Sequence, residues 1–106
     1  MNANEYQLLA MRTAAGGKSL LNAALGLAGE SGEVADLIKK AKFQGHPLDE
    51  DKLVEELGDV LWYVALAAEV LGVSLEDIMH RNIDKLWSRY PAGFDPERSQ
   101  HREEEQ

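Results

Sequence analysis

The 106-residue sequence contains no cysteine, which excludes disulfides, thiolate zinc sites and cysteine nucleophiles. Basic residues are scarce: 11 Lys and Arg against 19 Asp and Glu give a formal net charge of −8. Such a chain lacks the basic face that binds a nucleic-acid polymer. The longest uncharged apolar run, residues 60–68, is too short to span a bilayer, and the start lacks a signal-peptide pattern. We therefore expect a cytoplasmic protein that binds neither nucleic acid nor membrane.

Strict alternation of apolar and polar residues, the pattern of a half-buried strand, is also missing. Apolar residues instead recur at three- and four-residue steps, which predicts an all-α protein with four helices. From their capping residues, glycines and prolines, we expect these helices at about 4–15, 19–43, 50–71 and 75–90. Residues 1–92 form the single predicted domain. Residues 93–106 are a polar, acidic tail that we expect to be mobile.

Acidic residues interrupt the apolar stripes of the second and third predicted helices. On a helical wheel, Glu30 falls inside one stripe with Glu33 at its edge, and Glu56 and Asp59 repeat the pattern on the next helix. Ionised carboxylates that face inward are costly unless a cation neutralises them. The short connection makes the two helices antiparallel neighbours, so the four carboxylates can meet. Ligation by oxygen alone suits Mg²⁺, with Mn²⁺ as the alternative.

Glycines accompany these acidic residues inside both helices. Gly26, Gly29 and Gly32 follow one another at three-residue steps, and Gly58 lies on the next helix. In a helix interior each glycine costs about 0.5–1 kcal/mol relative to alanine. We therefore expect backbone or ligand to approach closely at these positions.

Other candidate residues are ambiguous when they are taken from the sequence alone. Asn82 interrupts the apolar stripe of the fourth helix, where it is either a satisfied core amide or a ligand contact. Lys85 and Arg89 flank that stripe and resemble an ordinary solvated face. Trp62 and Tyr63 are core or interface residues, or they line a pocket for a base.

The pair E-x-x-E and E-x-x-D, separated by 22 residues, resembles the signature of the MazG-like, all-α nucleoside triphosphate pyrophosphohydrolases. The similarity extends over "EYQLLAMRTA", "GESGEVADLIKK", "EELGDVLWYVALAAEVLGVSLEDI" and "RNIDKLWSRYPAGF". It implies Mg²⁺-dependent hydrolysis of (deoxy)nucleoside triphosphates to the monophosphate and pyrophosphate, in nucleotide pool control or house-cleaning. Many relatives carry a further glutamate where this chain has Gly29.

The resemblance also assigns roles to individual residues. The four motif carboxylates form the catalytic and metal-binding set, and Glu33 is our candidate for the general base. Asn82 and Lys85 match the N-x-x-K motif that contacts the phosphates or sugar of the nucleotide. Arg89 is a second candidate cation for the leaving phosphates, and Tyr63 falls where related enzymes place an aromatic ring near the substrate.

The third helix is apolar nearly all round after Asp59 and must therefore be covered on every side. We expect a homodimer that completes a shared, MazG-like four-helix bundle, or a dimer of dimers. Two other functions stay open: phosphoribosyl-ATP pyrophosphohydrolysis on the same scaffold, and a non-catalytic, metal-stabilised helical interaction module. A ferritin-like di-iron enzyme is disfavoured, because neither helix carries Glu-x-x-His.

Overall fold

A computed structural model describes residues 1–101 of the chain, so residues 102–106 of the predicted tail lie outside the described residues. The described part contains five helices and no β-strand, which confirms the predicted all-α class. Their bounds are α1 (Ala3–Met11), α2 (Leu20–Phe43), α3 (Glu50–Leu71), α4 (Leu75–Arg89) and α5 (Pro96–Gln100). The bounds of α2, α3 and α4 agree with the prediction to within one residue at each end.

Local side-chain chemistry sets the ends of the two long helices. The Ser19 hydroxyl accepts a hydrogen bond from the backbone N–H of Asn22 at 3.0 Å and so caps α2. Asp49 caps α3 in the same way, accepting from the backbone N–H of Lys52 at 3.0 Å. Gly72 ends α3 with a φ of 72°, a left-handed conformation that glycine adopts without strain.

Helix α1 ends earlier than predicted, at Met11 instead of near Ala15. Beyond Met11 the backbone N–H groups of Thr13 and Ala14 donate to carbonyls three residues back, at 3.0 and 3.2 Å. The Thr13 hydroxyl also donates to the Ala10 carbonyl, at 2.6 Å. Short polar side chains that bond to nearby backbone compete with the α-helical pattern, and here that competition tightens and ends the helix.

Helix α5 was not predicted, and it lies within the segment that the sequence indicates as a tail. The Asp95 carboxylate caps it by accepting from the backbone N–H of Glu97 at 2.9 Å, and Pro96 occupies its first turn. Aspartate followed by proline is a recognised helix-start signal that the sequence analysis missed.

The chain divides into two compact units, residues 1–75 and the residues from Glu76 onward. In the first unit α2 packs against α3, and α1 packs on α3. In the second, the Arg98 side chain donates from Nε to the carbonyl of Arg89 at 2.6 Å, and the rings of Tyr90 and Phe94 lie 5.3 Å apart. These contacts connect the α5 segment to the end of α4.

The core of the first unit is small and rich in alanine. Leu66 is the one large side chain of the described residues that is almost completely buried. The buried residues that cluster around it are Ala10, Met11, Ala14, Ala23 and Ala65. No single helix within residues 1–101 is long and apolar enough to cross a membrane; α3 and α4 meet that criterion together, by length and composition.

A buried amide joins α1 to the turn that follows α3. Gln7 accepts from the backbone N–H of Leu75 at 2.6 Å, and its Nε2 donates to the carbonyl of Val73 at 3.1 Å and to Glu69 at 3.3 Å. Gln7 and Leu75 are both buried, so water has little access to the hydrogen bond between them.

We predict that Gln7→Leu lowers the free energy of unfolding by about 1–3 kcal/mol, because it leaves the buried backbone N–H of Leu75 without a partner. Urea denaturation at a fixed protein concentration measures the change. Gln44→Leu, at an exposed position after α2, is the matched control and should have little effect. Equal losses in both variants would contradict a special role for Gln7.

Candidate metal centre

Three of the four predicted acidic residues converge where α2 and α3 pack together. One carboxylate oxygen from each of Glu30, Glu56 and Asp59 lies within 4.8 Å of those from the other two. Glu56 and Asp59 share a face of α3 because they are three residues apart. Antiparallel packing brings Glu30 of α2 opposite them, just as it brings Gly26 opposite Tyr63.

The carboxylates differ in their access to solvent. Glu56 is buried, with 8 % of its surface exposed, whereas Glu30 is half-buried and Asp59 is exposed. Glu33, one turn beyond Glu30, is exposed and is not one of the three-carboxylate group. The structure therefore brings three of the four predicted ligands together, and it leaves Glu33 at the solvent side of the site.

Burial and the crowding of like charges both raise the pKa of Glu30. Burial is the largest cause that raises its pKa above the ordinary value of 4.5. A hydrogen bond with Glu56 and the negative charges of Asp59, Glu56 and Glu33 raise the pKa further. A hydrogen bond between two carboxyl groups requires a proton, so Glu30 holds its proton more strongly than an isolated glutamate does.

Lys52 supplies a positive charge that the sequence analysis did not identify. Its Nζ lies 3.3 Å from Oε1 of Glu56, one turn further along α3, and 3.7 Å from Oε2 of Glu55. The hydrogen bond with Glu56 is the main reason that the pKa of Lys52 is raised. The sequence shows that Lys52 and Glu56 are four residues apart, but many oppositely charged pairs in a helical protein have this spacing, so it does not single out Lys52.

Two aromatic residues border the carboxylates. Glu30, Asp59, Trp62 and Tyr63 line one cavity of about 330 Å³. The Trp62 and Tyr63 rings meet edge to face, with centroids 4.9 Å apart and an angle of 82° between their planes. The cavity thus combines oxygen ligands for a cation with apolar ring surface for a planar group.

Among the glycines, Gly26 has the close approach that the sequence predicts. A Cβ atom at this position would overlap the ring of Tyr63. At Gly29, Gly32 and Gly58 no atom of the described chain, apart from adjacent residues and the nearby backbone of the same helix, lies within 4 Å of the place that a Cβ would take. Close packing within the chain therefore explains Gly26, and it does not explain the other three glycines.

The remaining predicted residues belong to the second unit. Asn82, Lys85 and Arg89 lie on α4 at spacings of three and four residues, so they share one face of that helix. Asn82 and Lys85 are exposed, and Arg89 is half-buried. Their contact with a nucleotide stays a prediction, as do the roles of Trp62 and Tyr63.

The donor set fits a hard divalent cation. Octahedral Mg²⁺ binds oxygen at about 2.1 Å, so its ligands lie about 3.0 to 4.2 Å apart. The oxygens of Glu30, Glu56 and Asp59 are already within 4.8 Å of one another, so small side-chain movements suffice. Binding requires ionised carboxylates, so a cation and a proton compete for Glu30.

We predict that, with divalent cations chelated, the free energy of unfolding falls as pH rises from 4.5 through the raised pKa of Glu30. In that window the folded protein retains a proton that the unfolded chain has released, and the stability from this proton is fully present only below the window. Urea denaturation across the window measures the decline. Glu30→Gln should reduce it and Glu55→Gln should preserve it; an unchanged slope in Glu30→Gln would contradict the prediction.

Comparisons with known proteins identify the family of the chain. The model of the MazG nucleotide pyrophosphohydrolase domain matches residues 18–94. The Gene 37 protein of Mycobacterium phage L5 is 38% identical over 105 residues, covering 88% of this chain and 92% of the phage protein. The uncharacterized protein YvdC of Bacillus subtilis (strain 168) is 34% identical over 70 residues, covering 58% of this chain and 66% of YvdC. No solved structure matches the chain significantly. Since the domain match spans well over half of the sequence, the chain belongs to the MazG nucleotide pyrophosphohydrolase domain family.

Proposed function

We propose that this protein is a Mg²⁺-dependent hydrolase that converts (deoxy)nucleoside triphosphates to the monophosphate and pyrophosphate. The observation that carries the proposal is the convergence of Glu30, Glu56 and Asp59 beside an aromatic-lined cavity, in a chain of this family. The reaction consumes one water and breaks the anhydride bond between the α and β phosphates. The protein serves in control or cleaning of the nucleotide pool.

Glu30, Glu56 and Asp59 would hold Mg²⁺, with Mn²⁺ as a substitute, and the ion would supply neutralisation of phosphate charge and a lowered pKa of its water. Glu33 is exposed and lies outside the three-carboxylate group, so it is the carboxylate best suited to accept the proton of the attacking water. Trp62 and Tyr63 receive the base. Asn82, Lys85 and Arg89 contact the sugar and phosphates. A cation-loaded acidic site binds a polyanion because the ion reverses the local charge.

We further propose a homodimer, alone or as a dimer of dimers, in which the bundle is completed by the second copy. Leu21 and Leu25 lie one turn apart on α2 and are 69% and 65% exposed. On α3, Leu57 and Leu61 repeat this arrangement at 51% and 43% exposure. Each helix thus exposes a pair of large apolar side chains that the small alanine-rich core does not cover and that a second copy would cover.

We predict that Glu56→Gln lowers pyrophosphate release by about 100-fold or more, because even residues that only support metal ligands contribute about 10–100-fold. The helical circular dichroism should be retained, since glutamine has nearly the same size. Glu55→Gln, its exposed neighbour, is the matched control and should remain active. Equal turnover in Glu56→Gln and wild type would eliminate the proposed site.

The same assay separates the rival functions. A panel of canonical and modified triphosphates, with products identified by chromatography, should show pyrophosphate and not orthophosphate. Turnover of phosphoribosyl-ATP alone would favour the alternative pyrophosphohydrolase. Melting that depends on Mg²⁺, without turnover of any nucleotide, would favour the interaction module.

We predict that Leu25→Asp shifts the protein from dimer to monomer at micromolar concentration, because a buried unpaired carboxylate opposes association. Light scattering measures the molar mass. Leu48→Asp, which places the same charge in the connection between α2 and α3, is the control and should remain dimeric. A monomeric wild-type protein would overturn the proposal.

A further inference from the structure

The aromatic wall of the carboxylate cavity is held from two sides by residues outside the acidic motifs. Trp62 and Tyr63 are both half-buried, so packing alone leaves part of each ring beside open space. A ring in that position can change rotamer unless another contact restrains it. The structure provides one such contact for each ring.

Trp62 is restrained by the end of α1. Its indole N–H donates to the Thr13 hydroxyl at 2.9 Å and more weakly to the carbonyl of Ala10 at 3.3 Å. The Thr13 hydroxyl in turn donates to the same Ala10 carbonyl at 2.6 Å. The Thr13 hydroxyl thus donates its hydrogen to Ala10, and its oxygen accepts the hydrogen bond from the indole. This directional network fixes the plane of the Trp62 ring.

Tyr63 is restrained by the backbone of α2. Its ring occupies the space in which any residue other than glycine would carry a Cβ at position 26. Gly29, one turn further along the same helix, has no such neighbour. The Tyr63 ring therefore packs directly against the α2 backbone. Because the ring also contacts Trp62 edge to face, a restraint on either ring limits the movement of the other.

We infer that Thr13 and Gly26 are positioning residues that hold the Trp62 and Tyr63 rings in place to receive the base of the nucleotide. The inference rests on the proposed function. Tyr63 follows Asp59 by one turn of α3, and both line the cavity, so restraint of the ring also sets its place relative to a ligand carboxylate. Because the two rings are already ordered before the nucleotide binds, binding does not have to offset the loss of their conformational entropy.

Thr13→Val tests the hydroxyl, since valine keeps the branched shape and removes the acceptor. The affinity for a non-hydrolysable triphosphate analogue is measured by calorimetry, and KM and kcat by pyrophosphate release. We expect Kd and KM to rise about three- to tenfold, the range of one hydrogen bond, with little change in kcat or in Mn²⁺ affinity. Thr13→Ser retains the hydroxyl and should restore wild-type values.

A spectroscopic measurement reports the restraint directly. In a Trp87→Phe background, labelled with ¹⁵N, the Trp62 indole N–H gives a single resonance, because the chain has 2 tryptophans. Thr13→Val should shift it and speed its exchange with solvent. Unchanged Kd and KM despite that shift would overturn the inference, as would a Thr13→Ser variant as impaired as Thr13→Val.

The second restraint is tested by a double-mutant cycle. Gly26→Ala should raise Kd and KM by displacing the Tyr63 ring, whereas Ala28→Ser, at an exposed position of the same helix, should not. In a Tyr63→Ala background, Gly26→Ala should have no further effect, because the ring that it displaces is gone. An equal effect in both backgrounds would show that Gly26 acts on the helix alone and would overturn its assigned role.

Failure of the inference differs from failure of the proposed function. If the wild-type protein binds the analogue without releasing pyrophosphate from triphosphates, the proposed reaction is wrong and the Kd series still tests the positioning residues. If it turns over triphosphates while the Thr13 and Gly26 variants bind like the wild type, the positioning role alone is wrong. Absence of any nucleotide binding would overturn both.

Discussion

The central constraint of this molecule is the compensation of like charges that folding forces together. Packing of α2 on α3 brings Glu30, Glu56 and Asp59 within reach of one another, with Glu56 buried. Lys52 balances one of these charges. A proton on Glu30 is one way to balance the excess, and a divalent cation is another. The raised pKa of Glu30 and the proposed cation site therefore have the same geometric cause.

Small residues make that geometry attainable. Helix axes approach closely only where the side chains between them are short. On α2, Ala23 is almost fully buried and Gly26 gives its place to the Tyr63 ring. An alanine-rich core thus does more than exclude water, because it also sets the distance between the helices that carry the acidic residues. Because this core is small, large leucine side chains remain exposed on α2 and α3.

Much of this structure could be predicted because its signals are local. Ser19, Asp49 and Gly72 lie beside the ends that they determine, and the wheel positions of Glu30 and Glu56 follow from helical period alone. The family resemblance that these acidic pairs indicated is confirmed by the domain match.

The unpredicted features depend on contacts between distant segments. Thr13 ends α1 early and binds Trp62, and Gln7 reaches Leu75, which no periodicity reveals. The exclusion of Glu33 from the three-carboxylate group likewise depends on how the two helices are rotated against each other. The spacing in sequence gives the face of a helix but not its exposure in the packed pair.

One consequence concerns light emission. Trp62 borders the carboxylate cavity and has its indole hydrogen-bonded, whereas Trp87, on α4, is 60% exposed. The emission colour of an indole depends on the polarity around its ring, so the two fluorophores differ in their surroundings. A charge or an aromatic guest that enters the cavity alters the surroundings of Trp62 directly. The protein therefore carries a built-in optical reporter at the very place where chemistry is proposed, with a second emitter as its internal reference.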